Sequence, residues 1–353
     1  MTGDGAPSRL APGSSPVLAG AMTGGQGDGR RRWGGKGDSG RKKGCMRVEA
    51  EVKREVREFY DDVGWKQVGE GLYQNIRYED LRPVSRDYIH RCRERVGRHI
   101  PVGGKYLLDA GSGPIQYPEY VEYSRPFQYR VCLDISVRAL REARGRIGDH
   151  GLFVLGDLTR LPFRAEAFPG AISLHVVYHL PAQEQEKAFR EIHRVLRSPG
   201  KSVVVYSWGK SALLMRLAEG PMRAAQGLLK LIQRLRGRIR AGRAPAGGAA
   251  EAERQTLLTT PGHYSFNYDA RWIRRTLGDL PGLDIRIWRS LSTPFLRALV
   301  HGPLGGRLGL ALLYRLEEAA PRVFGRIGQY PMILLEKPAG RAPHGSLGGG
   351  IPR

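Results

Sequence analysis

Residues 107–114 read Leu-Leu-Asp-Ala-Gly-Ser-Gly-Pro, a pattern typical of a buried strand that runs into a sharp glycine turn. Asp109 falls at the carboxyl end of this strand. Gly111 and Gly113 let the backbone bend tightly and approach a ligand with no Cβ atom in the way. Ligands of open α/β sheets bind outside the carboxyl ends of the strands. The turn therefore predicts a site for a nucleotide-like ligand.

The same turn disfavours a dinucleotide such as NAD. The dinucleotide fingerprint requires a third glycine three residues after the second, and Gln116 stands at that position. Pro114 also removes a backbone N–H group that a pyrophosphate would need near the start of a helix. An NAD-dependent enzyme is therefore a disfavoured interpretation.

A second apolar run ends in Asp134 about one βαβ step later. Ser136 fits the N-cap of a helix over residues 137–147. An acid at this place can accept hydrogen bonds from the two hydroxyl groups of an adenosine ribose, a feature that NAD and S-adenosylmethionine share. The alternative is that Asp134 only caps the helix.

Three further strands are predicted at 152–158, 170–175 and 201–206. Asp157 lies at the end of the first of them, where a carboxylate can accept the exocyclic amine of adenine. A helix is predicted from about residue 182 to residue 196, and Ser198-Pro199-Gly200 is expected to end it. Later runs at 268–277, 283–288 and 331–336 predict one more helix and two more strands.

In this order the runs resemble the class I S-adenosylmethionine-dependent methyltransferases, particularly the methyltransferase type 11 group. The matching pieces are Leu-Leu-Asp-Ala-Gly-Ser-Gly at 107–113, Leu-Asp-Ile-Ser at 133–136, Gly-Asp-Leu-Thr-Arg-Leu-Pro-Phe at 156–163 and Glu-Ile-His-Arg-Val-Leu-Arg-Ser-Pro-Gly at 191–200. The glycine turn alone is unspecific, whereas four motifs in order are not. The resemblance implies an α/β fold: a doubly wound, mostly parallel, seven-stranded Rossmann-like sheet with a reversed last strand and helical lid insertions.

The resemblance also implies which residues bind S-adenosyl-L-methionine as cofactor. Asp109, Gly111, Ser112 and Gly113 would hold the methionine part. His175, at the end of the fourth strand, would contact the backbone of the cofactor.

The adenosine part of the cofactor would meet the next two strand ends. Asp134 would take the ribose hydroxyls, with Ile135 packed on adenine. Asp157 would meet the adenine amine, with Leu158 beside the ring. Tyr60, in an aromatic-acid pair upstream, would cover the cofactor, and plain core packing is its alternative role.

Methyl transfer from a sulfonium is an in-line displacement in which the protein mainly aligns the acceptor with the methyl group. His179 is the candidate catalytic base for a hydroxyl acceptor, with Tyr178 as a weaker candidate. A histidine without a chemical role is the alternative, and a carbon or amine acceptor needs no base.

The three cysteines are Cys45, Cys92 and Cys132, which lack Cys-x-x-Cys spacing, so no metal site or disulfide framework is predicted.

The 353 residues include 57 Lys or Arg and 34 Asp or Glu, which gives a net charge of +23. Such a basic excess suggests nucleic acid or an anionic membrane as a partner, and solvated arginines on an ordinary surface are the alternative. Nucleic acid is disfavoured as a partner because no Asn/Asp-Pro-Pro-Tyr type of motif follows the fourth strand.

The chain divides by composition into successive segments. Met46 opens the first protein-like run and is a candidate natural start. The predicted segments are a disordered tail at 1–45, an N-terminal helical lid at 46–98, the cofactor-binding core at 99–208, a basic helical insertion at 209–267, the C-terminal part of the core at 268–338 with a helical insertion at 292–328, and a disordered tail at 339–353.

Two of these segments bear on the acceptor and on membranes. Residues 228–240 alternate leucine or isoleucine with arginine, which suits a helix lying on an anionic membrane, and a lid helix is the alternative. Residues 292–328 are rich in leucine and favour a hydrophobic acceptor such as a lipid, a quinone or a polyketide-like molecule. No apolar run reaches the length of a membrane span.

We therefore predict a cytoplasmic S-adenosylmethionine-dependent methyltransferase that methylates oxygen or carbon of a small hydrophobic acceptor, with residues 228–240 as a candidate for peripheral contact with the membrane. The alternative is a non-catalytic basic adaptor of the same fold that binds membrane or RNA. The intact acids at 109, 134 and 157 and the glycines of the turn argue against that alternative.

Overall fold

The structure is a computed structural model that describes residues 53–54, 57–58, 60–65, 67–69, 72–73, 79–240 and 265–339. The predictions for the tail at 1–45, for most of 46–78, for 241–264 and for 340–353 lie outside those residues. So do the side chains of 232–240, within the predicted basic helix.

The centre of the structure is a seven-stranded sheet. After a short hairpin of β1 (Gln67–Gly69) and β2 (Leu72–Tyr73), its strands are β3 (Gly104–Ala110), β4 (Phe127–Asp134), β5 (Gly151–Leu155), β6 (Phe168–Leu174), β7 (Leu196–Val205), β8 (Asp284–Arg289) and β9 (Tyr330–Lys337). Their order across the sheet is β5-β4-β3-β6-β7-β9-β8. Neighbouring strands from β5 to β7 are parallel, and β9 is antiparallel to both β7 and β8. The predicted mostly parallel sheet with a reversed last strand is confirmed.

Helices cover both faces of the sheet, as in a doubly wound fold. They are α1 (Pro83–Gly97), α2 (Pro118–Glu122), α3 (Val137–Ile147), α4 (Ala182–Val195), α5 (Leu213–Leu217), α6 (Glu219–Arg240), α7 (Ala270–Leu277), α8 (Thr293–Leu299), α9 (Gly306–Ala319) and α10 (Pro321–Ile327). One core joins α4 and α7 to the sheet, and a second core joins α1, α8 and α9 to its other face.

Neighbouring residues of β3 show why both faces are apolar. Leu107 and Leu108 are both fully buried, and because successive side chains of a strand point to opposite faces they enter different cores. Burial of each leucine contributes about 2 kcal/mol to folding. The continuous apolar run before Asp109 is therefore the signature of a strand covered on both sides.

The predicted helix cap at Ser136 is confirmed, since its side chain accepts a hydrogen bond from the backbone N–H of Ala139. Asp269 caps α7 in the same way, by accepting the backbone N–H of Trp272. A local hydrogen bond from the Ser136 cap thus fixes the start of α3 directly after the carboxyl end of β4.

The predicted start of the fifth strand at residue 201 was wrong. β7 begins at Leu196, directly after α4, and Ser198-Pro199-Gly200 lies inside it. Leu196 pairs with Phe168 of β6, and the register between these strands shifts before Gly170. A proline is tolerated near the start of a strand or at such an irregularity, so this run does not mark the helix end.

The segment 292–328 is helical, as predicted, and supplies α8, α9 and α10 between β8 and β9. The predicted basic helix lies within α6, where Leu228 and Leu231 are exposed. Among the helices of the described ranges, none combines the length and the hydropathy needed to cross a bilayer.

Candidate functional site

A cavity of about 520 Å³ opens where β3, β4 and β6 end. Its two halves have different linings. The glycine-turn half is lined by Gly111, Ser112, Gly113, Asp134, Ile135, Asp157 and Leu158, with Lys53, Tyr60 and Trp65 from the N-terminal segment. The arginine half is lined by Glu79, Tyr117, Tyr120, His175, Arg289 and Tyr330, with Asn267 and Gln329.

The glycine turn adopts a conformation that requires glycine. Gly111 has φ +81° and Gly113 has φ +55°, in the region that side chains with a Cβ atom rarely adopt. A Cβ atom on Gly111 would lie 2.6 Å from a methyl carbon of Val176. The turn is held by hydrogen bonds from the backbone N–H groups of Gly111 and Ser112 to the carbonyl of Leu133. It therefore brings backbone to the wall of the cavity at a fixed position.

Asp134 is tied to the same turn. One of its carboxylate oxygens accepts the N–H of Gly113 at 2.8 Å, and the other accepts the N–H of Ser136 at 2.9 Å. Burial raises the pKa of Asp134 to about 6, although both backbone hydrogen bonds favour the ionised form. The carboxylate thus faces the cavity with both oxygens held in place and with lone pairs left for a ligand.

Asp157 shares its carboxylate with a lysine from the N-terminal segment. One oxygen accepts a hydrogen bond from Nζ of Lys53 at 2.7 Å, and the other accepts the backbone N–H and the hydroxyl of Thr159. Burial raises the pKa of Asp157, but the hydrogen bonds and charge of Lys53 and Thr159 outweigh it and hold the pKa below its usual value. Lys53 also pairs with the buried carboxylate of Glu184. An adenine amine at Asp157 would therefore share the carboxylate with Lys53.

Tyr60 lines the cavity, and the predicted contact of its ring with a cofactor stays a prediction. It lies on a single π-helical turn, Tyr60–Gly64, which Asp61 joins to the start of α3 through Ser136 and Arg138. The Tyr60 ring stacks on Trp65 at 5.1 Å between ring centroids. Trp65 in turn lies against Gly113, where a Cβ atom would approach its ring to 3.2 Å.

Asp109 does not line the cavity. Its side chain is buried, and one carboxylate oxygen accepts two hydrogen bonds from the guanidinium of Arg130 on β4, at 3.0 and 2.5 Å. The guanidinium also donates to the carbonyl of Tyr120. The predicted contact of Asp109 with a ligand is therefore not what the structure shows. Asp109 instead forms a buried ion pair with Arg130 next to the glycine turn.

His179 lines the cavity between its two halves. The residue is 5% exposed, and its Nε2 atom lies 3.4 Å from the hydroxyl of Tyr60. The Tyr178 ring packs on the imidazole at 4.4 Å between centroids. The geometry thus places the predicted base beside the tyrosine that covers the glycine-turn half.

His175 faces the arginine half. It has φ +61°, which is unusual for a residue other than glycine. Its ring meets Trp288 and Tyr330 edge to face, with centroids 4.6 and 5.7 Å apart. Burial, with Arg289 and Arg93 nearby, lowers its pKa to about 3, so the ring is neutral at physiological pH.

Arg289 is the buried cation of the arginine half. Its side chain is 2% exposed, and its Nη1 atom donates to a carboxylate oxygen of Glu79 at 3.2 Å. Arg93 lies 3.8 Å from the same carboxylate and stacks over the Tyr117 ring at 3.4 Å. Arg289 and Tyr330 are direct neighbours across the β8–β9 pair.

Sequence reasoning did not find Lys53, Trp65, Glu79, Arg289 or Tyr330. The predicted sixth strand at 283–288 ended one residue before Arg289. The position of an arginine at a strand end was therefore the signal that could have identified it. Its partner Tyr330 is brought beside it by the pairing of β8 with β9, and its partner Glu79 lies 210 residues earlier in the chain.

The comparisons with known proteins agree with this geometry. Residues 108–204 match the family model Methyltransf_11, described as a methyltransferase domain. A protein of Encephalitozoon cuniculi that carries the name of a methyltransferase is 39% identical over 83 residues, which are 23% of this chain and 38% of that protein. The chain thus matches well under half the length of this curated relative. The resemblance to type 11 methyltransferases predicted from the motifs is confirmed over residues 108–204.

Solved structures of similar fold include two methyltransferases. Geranyl diphosphate C-methyltransferase from Streptomyces coelicolor A3(2) is 15% identical, with a TM-score of 0.43 over 81% of this chain and 97% of that one. Magnesium protoporphyrin IX methyltransferase from Synechocystis PCC 6803 is 14% identical, with a TM-score of 0.44 over the same shares. With TM-scores below 0.5, these likenesses do not bear on the reaction or the acceptor.

Proposed function

We propose that this chain, whose residues 108–204 match a methyltransferase domain, uses S-adenosylmethionine to methylate a small molecule bound in the arginine half of the cavity. The single observation that carries the proposal is the junction of the glycine turn with Asp134, where a backbone held at positive φ meets a carboxylate on the next strand. This is the arrangement that an adenosyl ligand requires at the carboxyl ends of parallel strands.

The residues of the glycine-turn half fit this cofactor. Asp134 can accept both ribose hydroxyls on the lone pairs that the backbone N–H groups leave free. Ile135 and Leu158 offer apolar contact for an adenine ring, and Asp157 offers an acceptor for its amine. The cavity volume of about 520 Å³ lies within the range of small-molecule sites.

When bound, S-adenosylmethionine supplies an electrophilic methyl group, and the chain orients the acceptor toward it. Tyr60, Trp65 and Tyr178 form an aromatic cover that excludes water from the junction of the two halves. His179 lies at that junction and can take the proton of an acceptor hydroxyl on Nε2, provided that the imidazole is neutral. Methyl transfer to carbon or nitrogen would use the same alignment without the proton transfer.

The test is a calorimetric titration of the full 353-residue chain with S-adenosylhomocysteine, with NADH in parallel. We expect micromolar binding of S-adenosylhomocysteine alone. Asp134→Ala should weaken that binding at least tenfold, because the ribose loses a charged acceptor. Equal binding by Asp134→Ala, or binding of NADH instead, would contradict the proposal.

A second candidate function, the basic adaptor, is favoured by the exposed face of α9 and the turn before it. Leu304, Leu308 and Leu312 are 80%, 76% and 56% exposed and follow each other at four-residue spacing. Arg307 and Arg315 are exposed on the same helix. A leucine stripe flanked by arginines suits an anionic membrane surface. Sedimentation of the chain with phosphatidylserine vesicles but not with phosphatidylcholine vesicles, without binding of S-adenosylhomocysteine, would support this function over the enzyme.

A further inference from the structure

The arginine half of the cavity contains three buried polar atoms without a hydrogen-bond partner among the described residues. They are Nε of Arg289, Nε2 of His175 and the hydroxyl oxygen of Tyr117. All three residues line the cavity. A buried donor without a partner costs about 1–3 kcal/mol, so three of them around one space indicate a group that accepts hydrogen bonds.

All three atoms can act as donors. The Arg289 guanidinium carries five N–H bonds, and Glu79 accepts one from Nη1. The Tyr178 hydroxyl lies 3.4 Å from Nδ1 of His175, and when it donates there the neutral ring carries its proton on Nε2. The Tyr117 hydroxyl adds a third hydrogen.

The three donors belong to one region. Trp288 and Tyr330 each contact both Arg289 and His175, with the Arg289 guanidinium carbon 5.0 Å and 4.8 Å from the two ring centroids. Tyr117 joins the same region through Arg93 and Glu79.

Among anionic ligands, the charges of the region favour a monoanion over a dianion. Arg289 and Arg93 face Glu79 and Glu119, so two cations balance two carboxylates before a ligand enters. A dianionic phosphate would leave two negative charges in excess, whereas a carboxylate leaves one and has the planar shape that a guanidinium binds through paired hydrogen bonds.

We propose that the acceptor carries a carboxylate, which Arg289, His175 and Tyr117 bind in the arginine half while the methylated atom points toward the glycine-turn half. This inference rests on the proposed function for the identity of the cofactor, but not for the carboxylate site itself. It revises the predicted hydrophobic acceptor to an amphiphilic one, in which apolar or aromatic atoms join the carboxylate to the reacting atom.

The test compares charged and neutral probes of the same shape. The full chain is saturated with S-adenosylhomocysteine and titrated with 4-hydroxybenzoate and 4-hydroxybenzamide, and then with benzoate and benzamide. We expect each carboxylate to bind at least tenfold more tightly than its amide. Arg289→Gln should abolish this preference, and Arg307→Gln, on the exposed face of α9, should leave it unchanged.

The Glu79→Gln variant distinguishes direct binding of the carboxylate by Arg289 from a purely structural role of Arg289. Removal of the carboxylate that competes for the guanidinium should raise the affinity for 4-hydroxybenzoate several-fold. If Arg289→Gln fails to fold because Glu79 loses its partner, the double variant Glu79→Gln/Arg289→Gln removes both charges and should lose the preference. Its circular dichroism then reports folding independently.

Equal or tighter binding of the amides by the unaltered chain would overturn the inference, as would no carboxylate binding at millimolar concentration. So would a preference that survives Arg289→Gln or the double variant. Failure of S-adenosylhomocysteine to bind would refute the proposed function, whereas a carboxylate preference measured in its absence would still support the site.

Discussion

Under the proposed function, Asp134 should make the binding of S-adenosylhomocysteine depend on pH in a range where few side chains titrate. Burial raises the pKa of its carboxyl to about 6. Below that pH the protonated acid cannot offer both oxygens to the ribose hydroxyls. At pH 5 about one tenth of the carboxyl groups are ionised, so the affinity for S-adenosylhomocysteine should be about tenfold lower than at pH 7.5.

The free energy of unfolding of the free protein should change in the opposite direction. Because the folded pKa lies above the unfolded value, the folded state holds more protons between about pH 4 and 6, and ionisation destabilises it. This carboxyl therefore lowers the free energy of unfolding by up to about 3 kcal/mol as the pH rises through that window. A cofactor that donates two hydrogen bonds to the carboxylate recovers part of that cost.

The assay is a set of calorimetric titrations with S-adenosylhomocysteine at pH 5.0, 5.5, 6.0, 6.5 and 7.5. Asp134→Asn is the control, because it keeps the shape of the side chain and removes its titration. We expect the variant to bind between tenfold and about 150-fold more weakly at pH 7.5, from the loss of hydrogen bonds to a charged group, with a flat profile. A flat profile for the unaltered chain, or a variant within threefold of it, would refute the reasoning.

Further predictions concern the turn, the ion pair beneath it and the base. Gly111→Ala should lower the midpoint of thermal unfolding and abolish binding of S-adenosylhomocysteine, since its Cβ atom has no room at φ +81°. Gly145→Ala, exposed in the last turn of α3 with nothing within 4 Å, should instead stabilise the chain by about 0.5–1 kcal/mol. Arg130→Met should lower the free energy of unfolding, measured in urea, by about 3–5 kcal/mol, because it leaves the buried carboxylate of Asp109 unpaired. Adding Asp109→Asn should restore most of that free energy, and no recovery would contradict the pairing. His179→Gln should lower kcat for a hydroxyl acceptor by about 10²–10⁴ while the affinity for S-adenosylhomocysteine changes less than threefold, and equal losses in both would remove it as the base.

The sequence predicted the sheet and the glycine-turn half because their signals are local. Apolar runs followed by Asp109, Asp134 and Asp157 mark the first strand ends, and caps such as Ser136 lie next to the helices that they start. The strands β3, β4 and β5, which follow each other as βαβ units, place their carboxyl ends at one edge without further information. Asp134 and Asp157 could therefore be assigned to one site from their positions alone.

The arginine half was not predictable in the same way. Arg289 is an arginine at the end of an alternating strand, and such residues usually lie in solvent. Its burial follows from the antiparallel pairing of β8 with β9 and from the helices α8, α9 and α10, which connect these two strands along the chain. Likewise, the sequence shows Asp109 at a strand end but does not show that Arg130 on the next strand pairs with it.

The two halves of the cavity differ in how their residues are spaced along the chain. Apart from the N-terminal cover, the glycine-turn half comes from one continuous stretch, from Gly111 to Leu158, whereas the arginine half draws on residues as far apart as Glu79, Asn267 and Tyr330. Under the proposed function, a change in one wall segment of the arginine half should alter the choice of acceptor while the binding of the methyl donor is kept. The glycine-turn half can therefore stay constant while the arginine half varies. Hybrid chains that carry the 265–330 region of a relative should retain affinity for S-adenosylhomocysteine while they change their choice of acceptor.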